Sequence, residues 1–168
     1  MTTKPVLQIE DDENDVFFMK HAFAKAGILN PLLAVCDGQE AIDYLSGAGK
    51  FANRQQFPMP AVVLLDLNLP RKSGLEILKW IRQQPAFHTL LVVVLSSSNR
   101  DADIHRAYSA GANAYLAKPS NPDGLLELVR LIDNFWLRHN QLPPDCAQFT
   151  EAERVSPPQS SLSATATA

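Results

Sequence analysis

The chain has 168 residues, 46% hydrophobic and 20% charged, with a formal net charge of −3, an ordinary globular composition that excludes collagen-like, disulfide-dense and wholly disordered classes. A slightly acidic balance gives no electrostatic reason to bind nucleic acid or an anionic membrane surface. Cys36 and Cys146 stand at no metal-ligand spacing, no apolar run approaches the ~18 residues that span a bilayer, and the first residues lack a secretory pattern, so a cytoplasmic protein with reduced thiols is expected.

Val6 to Ile9 reads as a short strand. Acidic residues 10 to 13 follow, and then Val16, Met19, Phe23 and Ala26 recur at helical spacing until Gly27. Leu32 to Val35 is the next apolar run, Asp37-Gly38 a turn signal, and Gln39 to Ser46 a second helix carrying Ala41, Ile42 and Leu45. A long polar connection from Gly47 to Pro60 leads into Ala61-Val62-Val63-Leu64-Leu65, a continuous apolar run of the kind found in central parallel strands, with Asp66 at its carboxyl end. After Pro70 and Gly74, residues Leu75, Leu78, Ile81 and Arg82 mark a helix that stops before Pro85. Leu90 to Leu95 is a buried-strand run, Ser96 to Asn99 offers loop and capping groups, and a helix with Ile104, Ala107 and Tyr108 ends at Gly111. Ala114 to Ala117 is the fifth strand. Asn121 can cap a last helix from Pro122 to about Asn140.

Five strands alternating with five helices imply a doubly wound (βα)5 fold, a five-stranded parallel sheet covered on both faces, flavodoxin-like in architecture. One domain over residues 1–140 is expected, with residues 141–168 as a C-terminal extension, disordered from about 156, where Ser, Pro, Thr and Ala dominate. Ligands of such sheets bind outside the carboxyl ends of the strands. There stand Glu10-Asp11-Asp12, Asp66, Ser96 and Lys118, the last preceding Pro119. Carboxylates held together resist joint ionisation unless a hard cation joins them, and oxygen donors suit Mg²⁺. An ionised aspartate on a rigid strand end is a competent nucleophile for phosphoryl transfer, in which a protein mostly positions groups and compensates charge.

Each group has a bland explanation. The acids complement the positive end of a helix, Asp66 caps a turn, Lys118 is solvated, Ser96 satisfies a loop amide with its register open against Ser97 and Ser98, and Tyr115 is an ordinary strand aromatic. Their coincidence at successive strand ends favours one cleft.

The joint set Glu10-Asp11, Asp66, Ser96 and Lys118-Pro119 resembles the receiver domain of bacterial two-component response regulators over roughly residues 5–137. The resemblance implies that Asp66 accepts phosphate from a sensor histidine kinase. It further implies that Asp11 and Asp66 ligate Mg²⁺ directly, Glu10 through water and Asn68 through its main-chain carbonyl. Ser96 would turn toward the phosphoryl group, Tyr115 switch rotamer with it, Lys118 pair with a phosphoryl oxygen, and Pro119 follow a cis peptide bond. Glu10 departs from the family's more usual aspartate, and a buried amide at Gln8 needs partners.

Asp133-Asn134-Phe135-Trp136-Leu137 with Gln141-Leu142-Pro143-Pro144 is similar to the single-domain regulators paired with bacterial phytochromes. That implies a red-light-sensing kinase as donor and a homodimer through the last helix. On a helical wheel Leu125, Leu128, Val129, Ile132, Phe135 and Trp136 share one face and Leu126, Leu131 and Leu137 fall outside it; Leu126, Phe135, Trp136 and Leu137 are the expected interface. With no room for a DNA-binding output domain, action through association is expected, by dimerisation or docking. The alternatives are a degenerate receiver acting only as an interaction module, a flavin-binding protein and a hydrolase. Acids after the first strand oppose the flavin reading, and Asn68, where a hydrolase would carry its acid-base partner, opposes the hydrolase.

Overall fold

The computed structural model describes residues 3–142. Five strands, β1 (Val6–Ile9), β2 (Leu32–Val35), β3 (Val62–Leu65), β4 (Leu91–Ser96) and β5 (Ala114–Ala117), form one parallel sheet in the order β2-β1-β3-β4-β5. Helices α1 (Glu13–Ala26), α2 (Gly38–Ser46), α3 (Gly74–Gln83), α4 (Asp101–Ser109) and α5 (Pro122–Ile132) alternate with the strands. The strand order reverses direction between β1 and β3, the place where a doubly wound sheet opens a crevice at its carboxyl ends.

Side-chain alternation along the central strands decides which groups meet. Leu7, Ile9, Val63 and Leu65 point into one core with Tyr44 and Leu45 of α2 and Ile77, Leu78 and Ile81 of α3. Val6, Val62, Leu64, Val93 and Leu95 point the other way, onto Met19, Ala22 and Phe23 of α1 and Val129 and Ile132 of α5. By the same parity Gln8, Glu10, Asp66 and Lys118 belong to the α1–α5 side, while Ser96 and Tyr115 belong to the side that carries α4, where Val94, Leu67 and Ala107 form a third small core.

Local chemistry fixes the helix starts. The Asp12 carboxylate caps α1 by accepting from the amides of Asn14 and Asp15, Asp37 caps α2, and Asn121 caps α5 with a 2.7 Å bond from Gly124. Ser73 and Glu76 form a reciprocal capping box at α3, a signal present in the sequence as Ser-x-x-Glu. Gly74 is required there for space: a Cβ on it would lie 2.1 Å from the carbonyl oxygen of Asp66, so α3 begins against the backbone that follows β3. The long connection after α2 is organised rather than loose. It contains a 3-10 turn at Gly49–Phe51, an edge-to-face cluster of Tyr44, Phe51 and Phe57, and Arg54, whose guanidinium donates to the carbonyls of Tyr44, Leu45 and Phe57.

Three expectations need correction. The last helix does extend to His139, but after Ile132 it widens into a π-helical segment, Asp133–His139. There the Asn140 amide reaches Phe135, and Arg138 pairs with Asp133 at 2.7 Å, both at a spacing of five. The wheel therefore loses phase beyond Ile132. Within α5 the core-facing arc centres on Val129, which places Leu126 and Ile132 about 60° to either side; Leu126 is accordingly buried and offers no free surface to a partner. Trp136 and Leu137 are half-buried against the α1–α5 core, so of the four expected interface residues only Phe135 is exposed, and it stands beside Leu131, also exposed. Finally, the fourth helix ends at Ser109, before Gly111, which takes the left-handed turn at φ 97°.

No helix among the described residues is long and apolar enough to cross a membrane. The expected disorder from about residue 156, and Cys146, Pro143 and Pro144, lie outside the described residues.

Candidate functional site

The carboxyl ends of β1, β3 and β5 bring Glu10, Asp66 and Lys118 to one point. Glu10 follows β1 with its amide still held by Val35, and Asp66 follows β3 with its amide still held by Ile9, so both carboxylates are carried on backbone that the ladder keeps rigid. Both are buried, at 3% and 7% exposure. The Lys118 ammonium donates to Glu10 Oε2 at 2.5 Å, Asp66 Oδ2 at 2.7 Å and Asp15 Oδ2 at 2.8 Å. The second oxygen of Glu10 accepts from the Asp12 amide, and Asp66 Oδ1 accepts from the Asn68 amide at 3.1 Å.

The acids of residues 10 to 13 therefore divide their labour. Asp12 serves the helix end, as the bland explanation required, whereas Glu10 turns inward and Asp11 is exposed. Glu10, Asp11 and Asp66 each offer a carboxylate oxygen, all within 4.8 Å of one another. Burial pushes the Glu10 carboxyl above its ordinary range, and contact with Lys118 only partly offsets this. For Lys118 burial acts downward, but hydrogen bonds to Asp15, Asp66 and Glu10 win and hold its ammonium well above the usual lysine range. One ammonium thus leaves the acids undercompensated. A cluster of hard oxygen donors in that state fits a divalent cation such as Mg²⁺.

Ser96, the last residue of β4, is fully buried, Ser97 is exposed, and Ser98 is half-buried, so the hydroxyl at the strand end is that of Ser96. Its Oγ accepts from the Ser98 amide at 3.3 Å, and among the described residues no bond joins it to Asp66. Tyr115 is half-buried against α4 with its hydroxyl donating to the Ser98 carbonyl at 2.8 Å. The backbone nevertheless ties the two halves together, because the Lys118 amide donates to the Ser96 carbonyl at 2.9 Å. The expected cis bond before Pro119 is absent: all described peptide bonds are trans, the isomer favoured for an X–Pro bond unless packing overrides it.

Two groups escaped sequence reasoning. Asp15 was legible only as a first-turn acid of α1; its position two residues past the acidic run gave no sign that it would reach β5. Asp103 is buried at the start of α4, accepting from the Ser98 hydroxyl at 2.6 Å and pairing with Arg100 and Arg106. Its signal was an Arg-x-x-Asp-x-x-Arg spacing. A cleft of about 360 Å³ lies between α1 and α5, with Gln8 and Lys118 among its lining residues. Gln8 is buried there, and its Oε1 has no hydrogen-bond partner, so the partner expected from sequence for this oxygen is not supplied.

A (βα)5 parallel sheet that gathers an acidic triad and one lysine at the ends of β1, β3 and β5 has the architecture and site of a signalling receiver domain. The chain belongs to the response regulator receiver domain family, whose signature matches residues 6–130. It is 35% identical over 140 residues to response regulator Rcp1 of Synechocystis sp., covering 83% of this chain and 93% of that protein; the Mn²⁺-bound form of Rcp1 superposes with a TM-score of 0.75 at 34% identity, covering 84% of this chain and 99% of that one. Response regulator RPA3017, in red light signaling of R. palustris, matches with a TM-score of 0.79 and 38% identity over 83% of this chain and 99% of the other. The phosphorylated cyanobacterial phytochrome response regulator RcpA gives 0.78 and 36% over 84% and 99%. The chain is thus a two-component receiver related to phytochrome response regulators.

Proposed function

We propose that Asp66 accepts a phosphoryl group from the phosphohistidine of a sensor histidine kinase, a bacteriophytochrome, in the cytoplasm. The carrying observation is the convergence of Asp66, Glu10 and Lys118 on one buried point. An Asp66 oxygen forms the new P–O bond as the P–N bond to the donor histidine breaks, the electron pair leaving with the nitrogen. Lys118 meets charge on a phosphoryl oxygen and Ser96 donates its hydroxyl to another. Glu10, Asp11, Asp66 and the Asn68 carbonyl would hold Mg²⁺, which when bound neutralises the anionic oxygens. The relatives named for phytochrome and red-light signalling support the choice of donor, and the Mn²⁺-bound relative supports a divalent cation.

The output is association. Drawing Ser96 toward Asp66 shifts a two-state equilibrium in which Tyr115 leaves Ser98, and the surface around the last helix changes its affinity for a second copy or another protein. Leu131 and Phe135, 65% and 57% exposed and four residues apart, are the apolar anchors on that surface.

Incubation with acetyl phosphate and Mg²⁺ should add the mass of one phosphoryl group to the wild type and none to Asp66→Asn; no addition to the wild type under several conditions overturns the acceptor role and leaves an interaction module. Sedimentation with and without beryllofluoride tests the dimer, which Phe135→Glu should weaken. A monomer in both states ends that part.

A further inference from the structure

The family reading of this site uses one lysine and three acids, yet the structure carries a fourth carboxylate into it. An ammonium has three donors, and those of Lys118 go one each to Glu10, Asp66 and Asp15. Lys118 is therefore saturated before any phosphoryl group arrives. Glu10 and Asp66 come from adjacent strands; Asp15 comes from α1, the helix packed over that side of the sheet.

A first-turn aspartate is favourable at any helix start, which accounts for the residue type but not for its orientation. The cap of α1 is made by Asp12, which also holds the Asp15 amide. Asp15 is thus free of capping duty, and its carboxylate reaches across to a lysine whose side chain is only 15% exposed.

We propose that Asp15 is a positioning residue that holds Lys118 toward α1 and thereby trades phosphoryl affinity for cation affinity at Asp66. This rests on the phosphoacceptor reading. Two effects of its charge act in one direction. By accepting the third donor it takes up part of the ammonium's charge that would otherwise compensate Glu10 and Asp66 alone, leaving more of their charge for a dication, and its own negative charge attracts that dication directly. For a phosphoryl group the same two effects reverse: a donor is withheld, and an anion faces an anion. Asp15 thus keeps the phosphorylated state from becoming too favourable, a property a resettable signalling protein needs.

The test measures two affinities in Asp15→Asn, Asp15→Ala and Asp15→Glu: Mg²⁺ alone by calorimetry, and beryllofluoride at saturating Mg²⁺. Loss of the charge should weaken Mg²⁺ about two- to fivefold and tighten beryllofluoride by a similar factor, the scale of a partly exposed ion pair. Asp15→Glu should stay near wild type in both. Opposite signs are the signature, since a residue that merely starts the helix would weaken both together. Both affinities falling together, or neither changing, overturns the role of Asp15 while leaving the acceptor intact. A wild type that binds no beryllofluoride and gains no phosphoryl mass overturns both readings.

Discussion

Replacing Lys118 with methionine keeps the length and apolar volume of the stem and removes only the ammonium. Glu10, 3% exposed, and Asp66, 7% exposed, then share a buried site with no positive partner. Removing one member of a buried ion pair costs about 3–5 kcal/mol. Protonation sets a ceiling on that penalty, because a carboxyl can escape its charge by taking up a proton. From the ordinary glutamate value of 4.5, this costs Glu10 about 4.8 kcal/mol at pH 8 and only about 0.7 kcal/mol at pH 5, at about 1.36 kcal/mol per pH unit. The sign follows. Burial already raises the Glu10 carboxyl in the folded wild type, and losing Lys118 raises it further, so above pH 4.5 the folded variant binds more protons than the unfolded chain and loses stability as pH climbs. Urea unfolding of wild type and Lys118→Met in chelator should therefore show a deficit of about 3–5 kcal/mol at pH 8, shrinking toward about 1 kcal/mol at pH 5. Saturating Mg²⁺ should recover part of the pH 8 loss. A deficit that is the same at both pH values, or below about 1 kcal/mol at pH 8, would refute the claim that this ammonium compensates buried charge.

Gln8→Leu removes the buried acceptor that lacks a partner and should stabilise the fold by about 1–3 kcal/mol, read as a raised Tm. Gly74→Ala drives a methyl into the Asp66 carbonyl and should cost about 3 kcal/mol while lowering phosphoryl uptake from acetyl phosphate. Asp103 is held below the ordinary value of 3.8 by the Ser98 hydroxyl and then by Arg100 and Arg106, burial opposing them. Its contribution to stability is complete above that value and disappears as pH falls through the lower folded one. Asp103→Ala should accordingly flatten the acid limb of the unfolding curve, and it should increase the mobility of the Tyr115 ring, measured by NMR line shape, because the Ser98 loop loses its anchor.

The fold was legible because its strands are largely apolar runs bounded by turn residues, and because Asn121 and Gly27 carry cap chemistry in their identities. Glu10, Asp66 and Lys118 could be brought together from sequence because each sits at a strand end, where parallel connectivity permits no other meeting place. What escaped depends on reach and phase. Whether Asp15 crosses to Lys118, or Asp103 collects Ser98 and two arginines, is decided by rotamers that spacing does not encode. The wheel placed Leu126 outside the buried face because it counted every apolar side chain alike: Leu125 and Leu128, only half-buried, pulled the face away from the arc of Leu126, Val129 and Ile132 that packs on the sheet.

The parity of the strands makes the sheet a partition. The charged groups stand in one compartment, under α1 and α5, while the Ser96 hydroxyl and the Tyr115 ring stand in the other, beside α4. A phosphoryl group on Asp66 would be felt on the far side over the sheet's rim, by the Ser96 hydroxyl reaching toward it and by the main-chain bond that Lys118 and Ser96 share. On the proposed function, a molecule wedged between α1 and α5 would disturb the acceptor site without touching Tyr115, and one that grips α4 would hold Tyr115 without touching Lys118 or Glu10.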